Sequence, residues 1–203
     1  MKVPSTEEAE TLLLQAETRN PGPWVAPSRN VALAARCLAE PHPGLNSETA
    51  YVMGLLHDLG RQEGVTGMRH TLDGYTFLQN LGYNDAARIC LTHSFPRQDA
   101  RAIFGHWDVS EEEFKFIDGY LSSLTYTDYD RLLQLCDCLA LSSGLCLLEK
   151  RMIDVALRQG VNEYTVAKWQ AYLDIQKAFE TELGCSIYEL LPGVVATTFG
   201  SGF

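Results

Sequence analysis

Positive charge is in short supply: 16 Lys and Arg stand against 26 Asp and Glu in the 203-residue chain, a formal net charge of −10. Such a balance argues against nonspecific nucleic-acid binding, which needs a cationic surface to replace counterions. It leaves room for a small anionic substrate, since cations gathered in one pocket can reverse the field locally. None of the six cysteines (Cys37, Cys90, Cys136, Cys138, Cys146, Cys185) forms a CxxC pair. They read as reduced thiols that pack as small core hydrophobes rather than as a disulfide framework. No apolar run approaches the length of a membrane span, and the N-terminal MKVPSTEEAETLLLQ has no apolar signal-peptide core. The expectation is a cytoplasmic protein with no membrane partner. Strand alternation and hairpin turns are also nearly absent, as are repeats and linkers, so one all-α domain over 1–203 is expected.

Helix signals recur instead. Ser5-x-x-Glu8 predicts a capping box opening a helix to about Arg19, and Pro21-Gly22-Pro23 breaks the chain. Ser28 is predicted to cap a helix through Glu40, and Asn46 or Ser47 one that runs to about Asp58 and stops at Gly60. That segment, AYVMGLLHD, is apolar nearly all round and belongs in the centre of the fold. Helices over about 70–80 and 84–93 follow, then a loop from Ser94 to Asp108 that could cover a site. Ser110-x-x-Glu113 opens a further helix to about Leu124, and Thr127 or Asp128 caps another through Leu141. The last helices span about 144–158 and 165–183, and the tail GVVATTFGSGF reads as loosely ordered.

Chemistry concentrates on a few polar residues in apolar company. His57-Asp58 closes the most apolar helix, where an unpaired imidazole and carboxylate are expensive to bury. Side by side they suit a divalent metal, although a polar helix end facing solvent gives the same dipeptide. His70 opens one short helix, as a ligand or as a solvent-facing cap, with Asp73, Gly74 and Phe77 on its face. His93 closes the next helix on the face of Ala86, Ile89 and Cys90, as a ligand or as a core histidine bonded to a carbonyl. Asp137 lies between Leu133 and Leu141 on an apolar face, where an ionised carboxylate needs either a metal or a buried arginine.

The order His-Asp, His, His, Asp is where a family pattern enters. LLHDLGR, residues 55–61, resembles the central signature of the HD superfamily of metal-dependent phosphohydrolases. Upstream, SRNVALAARCLAE looks like the helix that normally begins with the family's first histidine. Downstream, GMRHTLDGYTFLQNLGYNDAARICLTHS is similar to the two-histidine segment of the binuclear branch, and LLQLCDCLAL to the helix carrying the last aspartate. That branch includes HD-type diadenosine tetraphosphate hydrolases and cyclic-dinucleotide phosphodiesterases. The resemblance covers roughly residues 24–141, leaving about 144–191 as a helical extension with no assigned chemistry.

The resemblance implies a site that holds one or two divalent ions (Mn, Fe, Zn or Mg). Asp58 bridges them and is the catalytic residue; His57 and Asp137 complete one metal position, His70 and His93 the other. Two cations about 3.5–4 Å apart suit phosphoester hydrolysis, because they neutralise both the attacking and the leaving oxygen. Arg61 falls where the family often places a phosphate contact, and Arg97 and Arg101 in the 94–108 loop are further candidates. The chain departs from the pattern at Pro27, which stands where the first metal-binding histidine belongs and has no ligand atom. A water, His42 or His106 would have to fill that position. The implied activity is hydrolysis of a small nucleotide or related phosphoester, in a chain that could pair as a homodimer. A non-catalytic ligand-binding module and an HD-fold diiron oxygenase are the alternatives.

Overall fold

The computed structural model describes residues 1–200 and is helical from end to end, with one two-residue strand pair (Ala140–Leu141 with Gly144–Leu145) among the described residues. The elements that build the site are α1 (Thr6–Arg19), α2 (Val25–Ala39), α3 (Ser47–Leu56), α4 (Arg69–Asn80), α5 (Asn84–Thr92), α6 (Glu111–Ser123) and α7 (Asp128–Asp137). A 3-10 turn, Leu59–Glu63, links α3 to α4. Beyond the strand pair lie α8 (Leu148–Gln159), α9 (Thr165–Leu183), α10 (Ile187–Leu190) and α11 (Val194–Phe199). No helix among the described residues is long and apolar enough to cross a membrane. All six cysteines are free.

Caps set most of the helix starts. Asn46 Oδ1 accepts the Thr49 N–H at 2.8 Å, and full capping boxes close at Ser110/Glu113 and Thr127/Asp130. At Ser5 only half of the predicted box forms. The Ser5 hydroxyl accepts the Glu8 N–H, while the Glu8 carboxylate is taken by the Tyr83 hydroxyl.

Four boundaries differ from the sequence reading, the first being the helix expected from about 144, which begins at Leu148 because Gly144–Leu145 pairs as a strand. Helix α2 begins at Val25, so Ser28 is not a cap but a buried residue whose hydroxyl donates to Trp24 O. Pro27 is tolerated because an N–H in the first turn has no intrahelical acceptor to lose. Helix α7 stops at Asp137 instead of Leu141, since the following residues turn into the strand pair. Residues 194–199 of the tail are helical, and residues 201–203 lie outside the described residues.

Helix α3 is buried on nearly every side, through Ala50, Val52, Met53, Leu55 and Leu56, as its sequence predicts. One core cluster joins α2, α3 and α7 to residues of α8, α9, α10 and α11, so the C-terminal helices share the core that carries the site. Asp130, wholly buried, ties α5 to α7: Arg88 meets it at 2.6 and 3.0 Å, and Thr92 donates to it at 2.7 Å. This network fixes the C-terminal half of α5, which ends at His93, against the first turn of α7, the helix whose far end carries Asp137.

Candidate metal centre

Helix α3 ends at Leu56, His57 is its C-cap, and the chain turns at Asp58 (φ −105°, ψ 15°) into the 3-10 turn. That turn requires Gly60. A Cβ at this position would lie 1.9 Å from His70 O and 2.4 Å from Gly74 N. Two glycines therefore let the 3-10 turn lie directly on α4, which brings Asp58 to His70. Gly60→Ala has no room and must push the turn off α4. A loss of about 3 kcal/mol of stability is expected, together with loss of bound metal. Gly119→Ala is the control, because nothing lies within 4 Å of a Cβ there. Denaturation curves and metal stoichiometry of the two variants check this.

Histidines 57, 70 and 93 use one local device. The Nδ1 of each lies near a backbone carbonyl three or four residues back: Gly54 O at 2.7 Å, Gly67 O at 2.6 Å and Ile89 O at 3.1 Å. Carbonyls only accept, so each Nδ1 carries a proton, and in the neutral ring Nε2 is left as a lone-pair donor. These nitrogens turn toward the carboxylates. His70 Nε2 is 3.1 Å and His93 Nε2 3.7 Å from Asp58 Oδ1, while His57 Nε2 lies 3.8 Å from Asp58 Oδ2 and 3.7 Å from Asp137 Oδ1.

Charges on the cluster are held by its geometry. Burial favours the acid form of Asp58, but Arg61, His70 and His57 outweigh it and hold the carboxyl well below its usual range. At Asp137 burial is likewise outweighed, by His57, His93 and Arg151. Burial disfavours a charged His57, yet Asp58 and Asp137 raise its pKa. His93 is lowered to about 4 by burial and by the neighbouring His57, so it is a neutral donor at pH 7. Arg61 Nε donates to Asp58 Oδ2 at 2.7 Å, and its Nη2 is 3.3 Å from His70 Nε2.

The residue chemistry fits a divalent metal. Asp58 Oδ1 is shut off from solvent and receives no hydrogen bond, a costly state for a carboxylate oxygen unless a cation meets it. Ligand atoms of His57, Asp58 and His93 lie within 4.8 Å of one another, and imidazole with carboxylate is a donor set for Mn, Fe, Zn or similar ions.

Beside this cluster opens a cleft of about 640 Å³, floored by Asp58, His93 and Asp137. Trp24 and Pro27, from the start of α2, form one wall. Arg151, Asp154 and Arg158 of α8 line the cleft as well. Neither residue weighed as a substitute for the missing histidine lines it. His42 is buried against Glu182 at 2.6 Å in a separate cavity, and the His106 ring packs beside Gly67. The 94–108 loop contributes Ser94 to the cleft, whereas Arg101 is turned toward Asp118. The sequence left α8 and α9 without chemistry, and the arginines of α8 are its main omission. Their signal was weak, since mixed polar and apolar positions at helical spacing describe any packed surface helix.

Comparison with known proteins identifies a family. No curated protein and no solved structure matches the chain. The family of the HD domain matches residues 25–141, from the first residue of α2 to the end of the first strand. That span includes His57, Asp58, His70, His93 and Asp137 and covers more than half of the chain, which therefore belongs to the HD domain family, a superfamily of metal-dependent phosphohydrolases.

Proposed function

We propose that the chain is a metal-dependent phosphohydrolase acting on a small nucleotide or related phosphoester. The observation that carries the reading is the buried, unbonded Oδ1 of Asp58 with the Nε2 atoms of His70 and His93 facing it. His57, Asp58 and His93 would hold the metal, with Asp137 and His70 at its margin. A divalent ion there supplies Lewis-acid polarisation of the phosphoryl group and neutralises its charge.

The chain's own residues do the rest. Arg61 keeps Asp58 ionised and presents a guanidinium at the cleft floor, where it can bond a phosphoryl oxygen in fork geometry. Arg151 and Arg158 stand on the α8 side, both paired with Asp154, so the lining balances three arginines against three aspartates and the net pull on an anion would come from a bound divalent ion. The cleft volume of about 640 Å³ is within the range of sites for nucleotide-sized ligands.

Pro27 in the cleft wall supports a second reading, in which the pocket binds a phosphorylated ligand without turning it over. A panel of nucleotides and phosphomonoesters separates the two, run with Mn, Fe, Zn or Mg supplied and again after chelation. Phosphate release with at least one metal, abolished by the chelator, is expected. Ligand-induced thermal stabilisation with no release under any metal would replace hydrolysis by the binding module. Oxygen uptake with iron and no phosphate release would move the chain to the oxygenase reading.

A further inference from the structure

Helices α8 and α9 enclose a second, smaller cavity of about 110 Å³, which shares Ser94, Asp137 and Arg151 with the cleft. Three lining residues carry side-chain N–H donors, and two of them have one N–H without an acceptor. Trp169 lines it, and Trp169 Nε1 is shut off from solvent with no hydrogen-bond partner. Arg151 Nε is in the same state, while Arg151 Nη1 is bound to Asp154 at 2.9 Å. Lys168 is 5% exposed and has Ala102 O at 3.2 Å and the face of Phe104 at 4.9 Å as neighbours. No carboxylate among the described residues lies within ion-pair distance of its ammonium group.

Arg151, Lys168 and Trp169, from two helices, line this space, whose one acidic lining residue is Asp137, and two of the three carry an unsatisfied N–H. Asp137 is balanced by His57 at 3.7 Å. Buried donors in this state cost stability unless an acceptor meets them, and beside Lys168, whose ammonium has no carboxylate partner among the described residues, that acceptor is an anion. Lys168 remains charged at neutral pH, since burial lowers its pKa only to about 8. The cavity is smaller than the roughly 150 Å³ that holds a benzene ring, so it excludes a nucleobase and admits one small group.

We propose that this compartment binds a second oxyanion of the substrate, a phosphoryl or carboxylate group, while the scissile phosphoryl group lies at the metal cluster. The substrate class narrows to phosphoesters that carry an additional anionic group at short range. This assignment rests on the phosphohydrolase reading for the identity of the first group, but the compartment itself is testable without turnover.

The experiment is calorimetric titration of the full chain, stripped of metal and freed of chelator, with inorganic phosphate and separately with acetate. Saturable binding of at least one is expected, and the tighter of the two identifies the group as phosphoryl or carboxylate. Lys168→Met should weaken it by about tenfold or more, and Trp169→Phe, which keeps an aromatic ring and removes the N–H, by about fivefold, the usual worth of a charged and a neutral hydrogen bond. Lys115→Gln, at an exposed lysine paired with Glu111 on α6, should leave the affinity within about twofold, and Arg61→Gln reports any phosphate held at the cleft floor instead. Thermal melts of each variant confirm folding. Absence of saturable binding to the native chain overturns the proposal. So does binding that Arg61→Gln weakens while Lys168→Met and Trp169→Phe do not. Failure of the phosphoester panel with these affinities intact would instead reject hydrolysis and keep the compartment.

Discussion

Asp58→Ala is expected to lose all bound metal and to drop phosphoester hydrolysis by at least about a hundredfold, the cost of deleting one preorganised electrostatic contact. The magnitude follows from how much converges on one carboxylate. Two imidazole nitrogens face its Oδ1 at 3.1 and 3.7 Å, a third lies 3.8 Å from its Oδ2, and Arg61 bonds that oxygen at 2.7 Å. Without the carboxylate, the remaining groups near His57 and His93 are neutral or cationic apart from Asp137, and a dication has little reason to enter. Arg61 also loses its ion-pair partner, so the alanine variant should melt at a lower temperature. Asp58→Asn separates the two effects, because it keeps shape and one carbonyl oxygen while removing the charge. Plasma mass spectrometry on protein purified without a metal-affinity tag gives the stoichiometry. Unchanged metal content in Asp58→Ala would place the ion elsewhere and remove the basis for the proposed site.

Much of this arrangement was legible in the sequence, because the physics behind it is local. The capping box at Ser110 and the cap at Thr127 or Asp128 announce helix starts through side chain to backbone bonds that are local in the chain, and the structure selects Thr127. The all-apolar α3 reads as central, which singles out the polar pair at its end, but only the structure decides between burial and a solvent-facing helix end. What the sequence could not show depends on tertiary contact. The stop of α7 at Asp137 is dictated by the strand pair, and the propensities of Cys138-Leu139-Ala140-Leu141 favour continuing the helix. The start of α2 at Val25 was hidden because Ser28 reads as an N-cap, whereas the helix begins three residues earlier and carries Pro27 harmlessly in its first turn. Gly60 reads as a helix stop, yet its use is the backbone approach to His70 and Gly74. Lys168 did leave a trace: with Tyr172, Ile175 and Phe179 it falls on the buried stripe of α9, where a lysine is out of place.

Pro27→His is expected to raise both metal affinity and metal content. Pro27 lies in the first turn of α2 and lines the cleft floored by Asp58, His93 and Asp137. Histidine at this position costs the helix little, because the regained N–H is among those that a helix start leaves without an intrahelical acceptor. The imidazole would give the Asp137 side of the cluster a nitrogen ligand in addition to His57, which already faces Asp137 at 3.7 Å. Partners outside the first ligand shell commonly change metal affinity by about 10–100-fold, so a direct ligand should tighten the weaker ion by at least about tenfold. If the native chain holds one equivalent, Pro27→His should hold two, with a matching rise in phosphoester turnover. The combination with Asp58→Ala should hold none, because the added imidazole cannot replace the shared carboxylate. A Pro27→His variant that folds normally and binds no more metal would mean that position 27 does not face the ion. The proline would then be a wall of the substrate cleft and not a lost ligand.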